Sequence, residues 1–457
     1  RTAALLALRR LGSPEVARFL HDPDAKLVLE AARAINDVPI NAAMPQLAAV
    51  APHENLARPL LYRILNANFR LGEAENARAV AAIAAQKAMP NLLRIEALRE
   101  LAEWTHPGGR DRVMGHWRPL PARPGNIAIE ATRRILADIF RASDSVQEEG
   151  AKLVAKLGLK EAAPTLLERL ADKERFTSLR LEALKALDVL HDERLEKGMQ
   201  LALGDGDPKV RTAGRRLLAK HRPDEAAGVL EAAVGKGTIV EQQGVFSILG
   251  DLKSPRADAA LYRWLDRLQA QQVPLEIQLE LLEAAGKRAA PAVKQKLAAF
   301  EASRAKSSPL ARYREALAGG DAAAGKQIFL HKAEVSCVRC HKVDKDGGEV
   351  GPDLTKVGSK QKREYLLESI IDPNKEIAKG FETVVLGMSN GQINVGIIKG
   401  EDAREIRLIT AEGHIIAVPK NQVEERSRGK SAMPEDIMKF LSKSELRNLV
   451  EFLAGLK

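Results

Sequence analysis

Ser336-Cys337-Val338-Arg339-Cys340-His341 is the stretch that decides how the chain is read. It has the form C-x-x-C-H, and Cys337 and Cys340 are the only two cysteines in 457 residues. On a helical turn, residues three and four apart share a face. Two sulfurs so placed reach the two vinyl groups along one porphyrin edge. His341, four residues after Cys337, then falls beneath the iron as an axial ligand. The motif therefore reads as the attachment site of one covalently held c-type haem. A zinc site needs a second ligand pair, and no further cysteine exists. A thioredoxin-like redox pair sits in a strand-helix pattern, which the residues before Cys337 lack.

The rest of the composition sets bounds. The length suits two or more domains, and 45% apolar residues is ordinary for a packed protein. Aromatics are scarce at 4%, while Ala and Leu are abundant, which favours helix. No apolar run is long enough to span a bilayer as a helix. Residue 1 is Arg and no signal peptide is visible, yet haem c is attached outside the cytoplasm. The expectation is an exported, periplasmic protein whose export signal precedes Arg1. The net charge of +10 lies in the first part of the chain, since the segment from about residue 320 onward is close to neutral. It reads either as a solvated surface or as attraction for an acidic partner. No compact basic tract with stacking aromatics points to nucleic acid.

Residues 1–300 read as repeated amphipathic helices. Asp22-Pro23 leads to Ala31, Pro90 to Ala97, Ser145 to Ala151, Ser178 to Ala183 and Asp207-Pro208 to Ala213. The small residues Ala31, Ala97, Ala151, Ala183, Ala213 and Gly244 recur at steps of roughly thirty residues or multiples of them. Each unit is too small to bury its apolar face alone and must stack on its neighbours. Asp-Pro supplies an N-cap and a first-turn proline. The pattern resembles HEAT repeats, which implies an α-solenoid scaffold for protein partners. One break, Trp104 to Gly125, is rich in Pro and Gly. It reads either as a docking loop, with His106 and His116 as candidate metal ligands, or as a loop packed back by its tryptophans.

Residues 301–319 read as a linker, and residues 320–457 as a second domain. Here Gly325-Lys326-Gln327-Ile328-Phe329, the C-x-x-C-H motif, Gly351-Pro352-Asp353-Leu354 and the closing helix from Ser442 resemble cytochrome c. The resemblance implies that the first and last helices cross at Gly325, Phe329 and Phe452. It also implies that Phe329 and Leu354 pack the haem and that the Pro352 carbonyl accepts from His341. Four strand-like runs depart from that family: Thr383–Met388, Gln392–Ile398, Glu405–Thr410 and His414–Val418. Asn390-Gly391 and Ala411-Glu412-Gly413 join them as hairpins. A small antiparallel β insertion over about residues 382–420 is therefore expected. A haem domain of this kind behind helical repeats resembles the haem-binding domain of large exported proteins of Planctomycetes and Verrucomicrobia. Those often carry a propeller-like dehydrogenase domain upstream.

The sixth iron ligand is expected C-terminal, beyond the insertion, on a fixed loop. Met388, Met433, Met438, His331 and His414 are the candidates. Met433 precedes Pro434, which holds the backbone extended, and it matches the family's methionine position by its place before the last helices. The expected axial pair is His341 and Met433. The whole reads as a mainly α chain: a HEAT-like solenoid, then an all-α haem domain with a β insertion, acting as a single-haem electron-transfer module. Its partner would be a redox protein or an upstream dehydrogenase domain. A haem-based redox or gas sensor is the reading from a different class. No residue pattern marks a catalytic centre.

Overall fold

The computed structural model describes residues 1–304 and 309–457. The chain is mainly helical, with one small antiparallel sheet near its C-terminal end. It divides into two compact units, Arg1–Leu217 and Leu218–Lys457. Of the expected linker, residues 305–308 lie outside the described residues. Before them the helix Pro291–Arg304 runs to Arg304, and after them a 3-10 segment covers Leu310–Ala316.

In the first unit, local sequence explains where helices begin. The Asp24 carboxylate accepts from Lys26 N–H at 2.9 Å, and that of Asp207 from Lys209 N–H at 2.7 Å. Ala31, Ala97, Ala151 and Ala183 are completely buried, so neighbouring helices approach closely over them. Polar bonds repeat between successive helices. Asn66 donates to Asn36, 30 residues earlier. Phe176 N–H donates to Asp144, 32 residues earlier, and the Thr177 hydroxyl to Asp207, 30 residues later. These bonds recur at separations of 30–32 residues, close to the period seen in the sequence.

The Trp104–Gly125 break divides between its two readings. Trp104 is fully buried and meets Phe69 edge-on at 5.7 Å, with the Arg123 guanidinium over both rings. Trp117 is 71% exposed. Between them Asp111 is buried. Its carboxylate accepts from Val113 and Met114 N–H and faces Arg70 and Arg118, and these contacts hold its pKa low against burial. His106 and His116 are both exposed. Among the described residues, no group of three or more metal-ligating side chains forms.

The second unit continues the ladder. Ser254 donates to Asp224 and Arg288 to Asp258, each 30 residues apart. Gly244, expected at a close helix approach, faces open space. The tight contact falls at Gly250 instead, where a Cβ would lie 2.9 Å from Ala284 Cα. Gly244 lies on a different face of its helix, and spacing alone did not reveal which face packs.

Two helices frame the C-terminal part of this unit. Asp321 caps the opening helix Ala322–His331 by accepting from Ala323 and Ala324 N–H. Ser442 and Glu445 form a capping box on the closing helix Lys443–Gly455. The helices cross at Gly325, where any Cβ would collide with the Asn448 carbonyl. Phe329 meets Phe452 beside the crossing, ring centroids 5.6 Å apart.

Between these helices lies the sheet: β1 Thr383–Met388, β2 Ile393–Glu401, β3 Glu405–Ile409, β4 Ile415–Pro419 and β5 Val423–Arg428. The order is β4-β3-β2-β1-β5, with every pair antiparallel. The first hairpin closes with Met388 N–H on Gln392 O and Gly391 at φ 82. The second, closed by Thr410 N–H on His414 O, has the same form. Strand β5 has no counterpart in the sequence reading, which stopped at four strands and about residue 420. Its sequence, Val-Glu-Glu-Arg-Ser-Arg, is almost wholly exposed and shows no apolar alternation. It is a charged edge strand, protected from pairing with another chain, and only its fit against β1 defines it.

Gly325→Ala is expected to lose about 1–3 kcal/mol by forcing the crossing apart. Gly228→Ala, in a helix with open space around the position, is expected to gain up to about 1 kcal/mol. Chemical denaturation of the two variants tests this, and equal stability would show that the crossing is not tight.

Candidate haem site

A short helical turn, Cys337–Cys340, carries the motif. Ser336 enters it in the left-handed region at φ 44, and His341 leaves it in extended backbone. The following loop folds back over the turn. Gly348 N–H donates to Val338 O at 3.0 Å, Gly351 N–H to Cys340 O at 2.8 Å, and Leu354 N–H to Lys342 O at 2.8 Å. These bonds bring Pro352 beside the imidazole. His341 Nδ1 lies 3.0 Å from the Pro352 carbonyl oxygen. A carbonyl only accepts, so Nδ1 carries the proton and Nε2 keeps a free lone pair. Burial holds the His341 pKa below its usual value, opposed by the bond to Pro352.

The motif opens onto a cavity of about 350 Å³. Cys337, Cys340, His341, Phe329, Pro352, Leu354 and Met433 all line it, so the structure brings every expected site residue together. Of the five candidates for the distal position, Met433 alone lines the cavity. Met388 is buried in the sheet's own core. Met438 packs in the domain core, and His331 and His414 are exposed. The Met433 loop is tied down on both sides: Ser431 N–H donates to Asn374, Met433 N–H to the Ser431 hydroxyl, and Asn374 to Glu435.

The sequence reading missed part of the wall. Ile397 of β2 lines the cavity, as do Phe381, Ala378 and Ile377 just before β1. Val350, Ile397 and Ile409 form a buried cluster against which Cys340, Phe381 and Ala432 pack. The insertion therefore covers the Cys340 side of the cavity with apolar groups. Alternation along β2 groups Ile397 with Ile393 and Val395, which are exposed, so nothing local marked Ile397 as cavity wall. Burial pushes the Cys337 thiol up to about 11 and raises that of Cys340 as well, Cys337 lying against the domain core and Cys340 against the insertion.

This donor set fits a covalently bound haem. It offers two thiols on one helical turn, a neutral imidazole with its free nitrogen fixed by a carbonyl, and a thioether on a braced loop. A Cβ at residue 351 would lie 2.5 Å from His341 Cε1, so the ring is held in a slot only a glycine leaves open.

Comparison with known proteins agrees. Residues 322–406 match the Cytochrome c family model. They define a c-type cytochrome domain, a class that holds haem c covalently and serves as a haem-based electron-transfer module. The match ends within β3, before Met433 and the closing helix. No curated protein matches the chain. Among solved structures, it is similar to the complex of CpcE and CpcF of phycocyanin lyase from Nostoc sp. PCC7120. That likeness has 16% identity over 57% of this chain and 95% of that one, with a TM-score of 0.27. Human deoxyhypusine hydroxylase in complex with glycerol is similar at 15% identity over 63% of this chain and 99% of that one, with a TM-score of 0.23. At such TM-scores neither likeness bears on the fold. No helix among the described residues is long and apolar enough to cross a membrane.

Gly351→Ala is expected to push the imidazole off its Pro352 bond. The cost should be about 1–3 kcal/mol of overpacking, with a high-spin component in the oxidised spectrum from a weakened histidine-iron bond. A melting temperature and spectrum equal to wild type would show that the ring has room to spare.

Proposed function

We propose that the chain is a single-haem electron carrier with His341 and Met433 as axial ligands, mounted on HEAT-like repeats that dock its redox partner. The observation that carries this is the convergence of Cys337, Cys340, His341 and Met433 on one cavity. Bound haem c supplies a one-electron iron couple. Cys337 and Cys340 anchor the porphyrin edge, and the Pro352 carbonyl fixes the imidazole so that Nε2 meets the iron. Met433, on a loop pinned by Asn374, would supply the second iron ligand. Two protein ligands leave no open position for substrate, and a thioether opposite histidine raises the potential. Phe329, Leu354 and Ile397 exclude water, which limits reorganisation on electron transfer.

The ladder of bonds at 30–32 residue spacing supports the repeat reading of residues 1–300. Stacked repeats of this kind present broad surfaces to proteins. Trp117, exposed on a loop braced through Asp111, has the character of an interface anchor. The order of repeats, linker and haem domain with a β insertion fits the haem-binding type of exported Planctomycetes and Verrucomicrobia proteins. Haem c attachment implies a periplasmic or otherwise exported location.

The oxidised wild type is expected to show the weak near-infrared sulfur-to-iron band. Met433→Ala should abolish it, lower the midpoint potential and open the iron to carbon monoxide, while Met388→Ala should leave all three unchanged. Loss of the band in Met388→Ala alone would overturn the ligand assignment. Rapid carbon monoxide binding by the wild type would favour a sensor over a carrier.

A further inference from the structure

The closing helix Lys443–Gly455 works on two faces. Leu449 and Leu453 line the haem cavity. Lys443 and Arg447 bind helices that precede the family match. Arg447 is 5% exposed and grips Glu280 with two prongs, Nη1–Oε2 at 3.0 Å and Nη2–Oε1 at 2.5 Å. Glu280 belongs to the helix Gln278–Gly286. Lys443 Nζ lies 2.6 Å from one oxygen of Glu315, whose other oxygen takes Arg304, at the end of the helix Pro291–Arg304. Glu315 has no exposed surface.

Gly319-Gly320 threads between the two layers. A Cβ on Gly319 would lie 2.5 Å from the Glu276 carbonyl oxygen, and one on Gly320 2.5 Å from that of Arg447. Gln243, on the helix Ile239–Asp251, donates to both Glu276 O and Gly319 O at 2.8 Å. A tether would leave such groups solvated. Here charges are buried in pairs, and a buried charge that loses its partner destabilises whatever holds it.

We propose that helices 239–304 are an integral part of the body that shapes the haem cavity, joined to it by Glu280–Arg447 and Arg304–Glu315–Lys443. Glu280 and Glu315 are then positioning residues: they set the closing helix, and through it Leu449 and Leu453. A partner seated on these helices meets the haem at a fixed distance, and strain applied there reaches the cavity wall. The inference rests on the haem reading only for the identity of the cavity's occupant.

Amide hydrogen exchange on the full chain tests it. Glu280→Gln is expected to speed exchange at least about tenfold in residues 443–455 and in the cavity-lining helix 363–371, as well as around residue 280 itself. The reversed pair Glu280→Arg with Arg447→Glu should restore protection toward wild type. Gln243→Ala, which breaks the junction without stranding a charge, should give the same pattern more weakly and covers the case in which Glu280→Gln does not fold. Faster exchange confined to residues 276–286, or a reversed pair no better than the single variant, would overturn the proposal. The mass of the same samples reports covalent haem separately. A chain without haem would defeat the electron-carrier reading, while the exchange pattern would still judge the coupling.

Discussion

His341 Nδ1–H has the carbonyl of Pro352 as its acceptor at 3.0 Å, and the order of the cavity follows from that bond. The bond sets the tautomer and leaves Nε2 as the nitrogen able to ligate iron. It exists because the loop after the motif folds back, with Gly351 and Leu354 bonded to the backbone of Cys340 and Lys342. That fold-back needs a glycine where the imidazole lies, and Gly351 supplies it. Another part of the wall depends on the Gly325 crossing, since the closing helix brings Leu449 and Leu453 to the cavity only if it can approach the opening helix this closely. One side-chain bond and one close backbone approach therefore set two parts of the cavity wall.

How much of this was legible in the sequence depended on how local each feature is. The C-x-x-C-H turn, the Asp321 and Ser442 caps and both hairpin loops were readable because neighbouring residues determine them. The mainly helical class and the small antiparallel sheet followed from periodicity, which survives whatever the tertiary packing. Met433 was separable from Met388 and Met438 by the proline after it. Strand β5 was not legible, because an exposed charged edge carries no alternation and is defined only by its partner β1. Ile397 and Phe381 as cavity wall were equally hidden, since a strand's pattern says which face is buried and not against what. Gly244 shows the limit of repeat spacing, which gives the period without the phase. The pair Glu280–Arg447 and the contact of Lys443 with buried Glu315 join residues too far apart in sequence for any pattern to connect them.

The insertion and helices 239–304 meet the haem domain at different places. The sheet covers the Cys340 side of the cavity with Val350, Ile397 and Ile409. Glu280, within helices 239–304, pairs with Arg447 of the closing helix. Under the proposed ligation by His341 and Met433 a bound haem would have no open iron position, which suits a carrier better than a catalyst.

The central claim is that Cys337 and Cys340 carry a haem. The most direct measurement is the intact mass of the full chain matured in an exporting host, taken after denaturation and acid extraction of any loosely held cofactor. The expected result is the chain mass plus one haem, lost in a Cys337→Ser/Cys340→Ser double variant. A wild-type chain with two free thiols and no added mass would contradict the account at its root.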